Sequence, residues 1–71
     1  MSATSYLLTC ILERVDAHLT ALVKLLTAAC LCSRDTKAEE HFREALAALE
    51  DVADRVRKAA EAFEEAVSEV V

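Results

Sequence analysis

From Phe42 to the end of the chain the apolar residues keep heptad time. Bulky side chains recur at Phe42, Leu49, Val56, Phe63 and Val70, smaller ones at Ala38, Ala45, Val52, Ala59 and Ala66. The spacing alternates four and three, the period that keeps one seam of an α-helix facing a neighbour. Leu46, Ala53, Ala60 and Val67 widen the stripe on one flank. The opposite face is charged and carries acid-first pairs at i, i+4: Glu39 with Arg43, Asp51 with Arg55, Asp54 with Lys58. At an exposed site each pair contributes only a few tenths of a kcal/mol, so this is a solvated face.

The segment before it is heptadic as well. Leu8, Val15, Leu22 and Ala29 form one column, Ile11, His18, Leu25 and Cys32 a second, and Leu12, Leu19 and Leu26 a third. Its polar stripe (Thr9, Glu13, Asp16, Thr20, Lys24 and Thr27) is narrow. More than half of the circumference is apolar, more than one partner helix covers.

The two registers do not join. Extending the first pattern would bury Thr36, Glu39 and Arg43, whereas the second starts afresh at Ala38. Between them, Thr36 and Glu39 have the S/T-x-x-E spacing of a capping box at a new helix N-terminus. The pattern therefore predicts a helix over about 4–32, a break at about Ser33–Asp35 and a second helix over about 36–70. So short a break returns the second helix antiparallel to the first. The expected fold is all-α, a single helical-hairpin domain over residues 1–71.

A lone hairpin has one internal seam, and both stripes are wider than that. Burying one seam is expected to leave Leu7, Leu12, Leu19, Val23, Leu26, Leu46, Ala53, Ala60 and Val67 for a second surface. At roughly 25 cal/mol per Å² of apolar area, leaving such a strip in water forfeits several kcal/mol. A small single core supplies little more than about 3–5 kcal/mol in total. Two copies closing face to face as a two-fold four-helix bundle would cover the strip, and so would one helical protein partner. In outline the expected homodimer resembles the Rop-type plasmid regulators, which are dimeric two-helix hairpins. The likeness lies in architecture and heptad style. It implies RNA binding only if Arg55, Arg57 and Lys58 share one dimer face.

Composition agrees with the helical reading. Glycine and proline are absent, and so is asparagine, which removes the residues that tight β-turns use. Eight Lys and Arg against thirteen Asp and Glu give a net charge of −5, which disfavours a phosphate backbone as partner. The opening MSATSY lacks the basic stretch of a secretory leader, and charged residues interrupt every apolar run short of membrane-spanning length. No membrane span and a cytoplasmic location are therefore expected. Three cysteines in that compartment read as free thiols.

Little chemistry is visible. A Gly-rich phosphate loop, a nucleophile elbow and paired carboxylates on an apolar face are all missing, so the expectation is a protein that is not an enzyme and needs no cofactor. Counting back from the turn, residue i lies opposite about 68 − i, which brings His41 near Cys30 and Cys32. Thiolate and imidazole are zinc or copper donors, so a small metal-binding bundle is one alternative. Cys30 and Cys32, two apart on a helix, point away from each other unless the helix ends first. Cys32 is also the thiol nearest to cations, Arg34 and Lys37. His18 sits in a core-type column, hydrogen-bonded across the bundle or acting as a pH-sensitive contact. Glu61, Glu64, Glu65 and Glu69 crowd the last turns of the second helix against its dipole, beside Phe63, Val67, Val70 and Val71. That acidic tip suits a basic partner. The leading expectation is a protein–protein interaction module, acting as adaptor, inhibitor or assembly factor.

Overall fold

The computed structural model describes residues 3–70, with side chains from Ala3 to Ser68. The side chains of Glu69 and Val70, and the whole of Val71, all placed at the acidic tip by the sequence, lie outside that description. The chain forms two long helices, α1 (Ala3–Cys32) and α2 (Lys37–Val70), packed against each other as a hairpin. The molecule is a rod of 54 × 15 × 11 Å.

The turn between them is built from hydrogen bonds rather than glycine. Helix α1 closes with the Ser33 N–H donating to the Ala29 carbonyl at 3.0 Å. The Ser33 carbonyl then accepts twice from Thr36, from its N–H at 3.0 Å and from its hydroxyl at 2.6 Å. Asp35 takes the left-handed conformation at φ 67°, where a glycine is usual and Asp is among the few tolerated alternatives.

Thr36 and Glu39 do mark the start of α2, with a change of donors from the expected box. The Thr36 N–H is already spent on Ser33. The Glu39 carboxylate therefore reaches one residue further back and accepts the Asp35 N–H at 2.8 Å. The Thr36 hydroxyl points back into the turn, and the Glu39 N–H donates to the Thr36 carbonyl at 3.2 Å. Glu39 and Glu40 also place negative charge at the helix N-terminus, where the dipole favours it.

The seam between the helices is set chiefly by the apolar side chains half-buried or buried in each. On α1 these are Leu8, Cys10, Leu12, Val15, Leu19, Val23, Leu26, Ala29 and Cys30; on α2 they are Leu46, Leu49, Ala53, Val56, Ala60, Phe63 and Val67. Ala53, at 5% exposure, is the one buried hydrophobic residue among those described. The α2 seam thus joins the Leu49 column to the flank Leu46–Ala53–Ala60–Val67. The column Ala45, Val52, Ala59 and Ala66, which the heptad reading placed inside, stays exposed. Both flanks share the Leu49 column, and Leu46 with Val67 bury more apolar surface than Ala45 with Ala66.

Candidate functional site

The choice of seam decides what the outside looks like. In an antiparallel pair, positions flanking the seam on one side of one helix adjoin the matching flank of the other. One side of this hairpin is polar. There Thr9, Glu13 and Asp16 of α1 share a shallow cleft with Arg57, Glu61 and Glu64 of α2, over a floor of Leu12, Val56, Ala60 and Phe63. Further along the same edge, Glu61, Glu64, Glu65 and Ser68 line an open depression near the acidic tip.

The other side is apolar and open. Helix α1 presents Leu7, Ile11, Leu22 and Leu25, at 59%, 48%, 47% and 66% exposure. Beside them α2 presents the exposed column Ala38, Ala45, Val52, Ala59 and Ala66. Among the described residues, Arg14 and His18 share the α1 columns, His41 and Arg55 border the α2 column, and Arg55 holds Asp51 at the rim in a 3.2 Å pair; no acid from Glu13 to Glu65 occupies the columns themselves. Most of the negative charge thus lies on the polar side and the back of the rod.

Of the nine residues expected at an outer interface, Leu7 is openly exposed. Leu12, Leu19, Val23, Leu26, Leu46, Ala60 and Val67 are half-buried and Ala53 is buried, on the flanks that line the hairpin's own seam. The residues that take their place outside are Ile11, Leu25 and the alanine column with Val52. The signal for them was present in the same heptads, one position over.

The sulfur and imidazole groups do not converge. Helix α1 runs through Cys32, so Cys30 and Cys32 stay on different faces, the first half-buried and the second exposed. His41 is exposed on α2. Among the described residues no group of three or more His, Cys, Asp and Glu is arranged to hold a metal ion. His18 is exposed on the open side, level with Val52 when residues are counted back from the turn.

The three basic residues weighed for RNA do not form a patch either. The Arg55 guanidinium pairs with Asp51 at 3.2 Å and the Lys58 ammonium with Asp54 at 3.0 Å, which holds the Lys58 pKa above its ordinary value. Arg57 lies in the cleft among Glu13, Asp16, Glu61 and Glu64. Each cation is matched by nearby acid.

Helix α1 has one further property. Over its most apolar stretch the mean hydropathy is 1.5, and by length and composition the helix is able to cross a membrane. Counting uncharged runs missed this, because an average over a window of membrane-spanning length tolerates isolated charges such as Asp16 and Lys24. The hydroxyls of Thr9 and Thr27 contribute to its apolar character by donating back to the carbonyls of Ser5 and Val23, at 3.0 and 2.8 Å.

Comparison with known proteins returned no matching family model, no matching curated protein and no matching solved structure.

Proposed function

We propose that this chain is a non-enzymatic interaction module, an adaptor, inhibitor or assembly factor, that works through self-association of its open side. One observation carries the reading: of the exposed large apolar residues, Leu7, Ile11, Leu22, Leu25 and Val52 stand along one side, with Tyr6 and Leu31 off it, and no acid from Glu13 to Glu65 occupies the apolar columns of that side. A contiguous apolar surface rimmed by polar residues is the usual mark of an interface. A hairpin with one buried hydrophobic residue among those described also gains stability from a second layer of helices. The test is the molar mass by light scattering from about 1 to 100 µM. The expected result is a dimer that dissociates on dilution. A constant monomer over that range rejects the reading.

A second reading is favoured by the hydropathy of α1: insertion of that helix into a bilayer. Asp16 and Lys24 oppose it, each costing about 2.5–3.5 kcal/mol at the centre of a membrane helix on insertion scales. Flotation with phosphatidylcholine vesicles separates the two. Recovery of the protein with the vesicles, together with a monomeric mass in buffer, selects the bilayer.

A further inference from the structure

We propose that the open side is covered by a second copy of the chain in which α1 of each protomer lies on α2 of the other, with both turns at the same end. This rests on the self-association proposed above and specifies its geometry. With α1 ending at Cys32 and α2 starting at Lys37, residue i lies opposite about 69 − i, so Ile11 is within one residue of level with Ala59, His18 with Val52, and Leu25 with Ala45. Along the open side a ridge of large residues on α1 therefore runs beside a trough of small ones on α2.

Two such faces close in only two ways by a two-fold rotation. If the axis runs along the rod, α1 sits over the partner's α2. Each Leu25 then meets an Ala45, each Ile11 an Ala59, and the ridge of each copy fills the trough of the other. If the axis runs across the rod, α1 sits over α1 and α2 over α2. Leucine and isoleucine then stack on each other, the two His18 rings meet near the axis, and alanine faces alanine. One half of that interface is overfilled while the other is hollow, and both defects are destabilising.

Size and charge suit a second copy. A face of 54 by 15 Å is roughly 800 Å² in projection, the area each partner contributes to an interface of standard size. The chain carries a net charge of −5, yet no acid from Glu13 to Glu65 occupies the apolar columns of this face, and Asp51 at its rim is paired with Arg55 at 3.2 Å. Two copies meet there without bringing carboxylates together in those columns.

The experiment is complementation between two defective variants. Leu25→Ala opens a hole and Ala45→Leu creates a clash. Both positions are exposed in the single hairpin, so circular dichroism is expected to record unchanged helix for each. Each variant alone is expected to self-associate at least about tenfold more weakly than the parent chain. Mixed in equal amounts, they are expected to form a heterodimer of near-parental affinity. The shortened side chain at position 25 of one then faces the enlarged side chain at position 45 of the other, and the second contact is unchanged. Mixing without recovery overturns the pairing and leaves self-association standing. Variants as tight as the parent also overturn it, and a monomeric parent removes both proposals.

A spin-label distance between the two Cys32 residues, with Cys10→Ala and Cys30→Ala, gives an independent reading. Diagonal helices of one bundle end put the labels within roughly 30 Å, given neighbouring axes about 8–10 Å apart. The crossed alternative separates them by about 45 Å, the length of a thirty-residue helix, and that result overturns the proposal.

Discussion

The Glu39 carboxylate divides its two oxygens between the turn and its own helix: Oε2 accepts the Asp35 N–H at 2.8 Å, and Oε1 accepts Arg43 Nε at 3.0 Å. One side chain thereby ties the end of the turn to the second turn of α2. The Asp35 bond first, and Arg43 after it, hold the Glu39 carboxyl below its ordinary value of 4.5. A group depressed on folding contributes stability that is fully present above its unfolded value and is lost as the pH falls through the folded one. Replacing Glu39 by Ala is therefore expected to lower the melting midpoint by several degrees at pH 7, and by less with each step from about pH 5 towards pH 2. Glu39→Gln keeps an acceptor for Asp35 without the charge. Its deficit is expected to be smaller at pH 7. A pH series of thermal melts on the three proteins reads this directly.

Asp35 closes the turn at φ 67° without a glycine. Asp35→Gly relieves the left-handed conformation, and the Glu39 bond survives because it uses the backbone N–H. A gain of about 0.5–1 kcal/mol is expected, against a loss of about 1–3 kcal/mol for the β-branched Asp35→Val. Urea titrations that give the opposite order would contradict this account of the turn.

Ala53 is the most buried residue of the seam. Enlarging it to Leu is expected to cost about 1–3 kcal/mol by forcing the helices apart. Ala47→Leu, on an exposed position of the same helix, is expected to stay within about 0.5 kcal/mol of the parent. The pair of variants measures helix packing with helix propensity held constant.

Zinc is expected to leave the protein unchanged. With α1 continuous through Cys32, a single ion cannot take both Cys30 and Cys32. One equivalent of Zn²⁺ added to the reduced protein should shift the melting midpoint by less than about 1 °C, whereas an ion held only by the folded state raises it.

The exposed ion pairs are expected to matter little. Raising sodium chloride from about 0.05 to 1 M screens the Asp51–Arg55 and Asp54–Lys58 pairs and should move the midpoint by no more than a few degrees, as followed by circular dichroism.

The sequence made the turn legible because the two heptad registers collide there, and Thr36 with Glu39 supply a helix start. The acid-first spacing likewise anticipated all three ion pairs, of which Glu39–Arg43 is the shortest at 2.7 Å. What the pattern left open was rotation. When three neighbouring columns are apolar, heptad spacing fits a seam on either flank equally well. The outcome turns on amounts: Leu46 and Val67 offer more surface to bury than Ala45 and Ala66, and turning Leu12, Leu19 and Leu26 inward spares the hairpin from burying His18. The donor swap at the turn was illegible for a different reason. It depends on Thr36 N–H being used by Ser33, a fact of three-dimensional closure that residue spacing does not encode.

Because the chain doubles back once, each layer of the seam joins residues equally far from the turn. Leu26 and Leu46 lie close to it, Leu8 and Phe63 far from it. Deleting about seven residues from each terminus would remove whole layers from the open end and leave the others in register. The rod would shorten by about 10 Å for each such cut. Its length is thus a separable property, adjustable like the spacing bar of a scaffold without redesigning the corner.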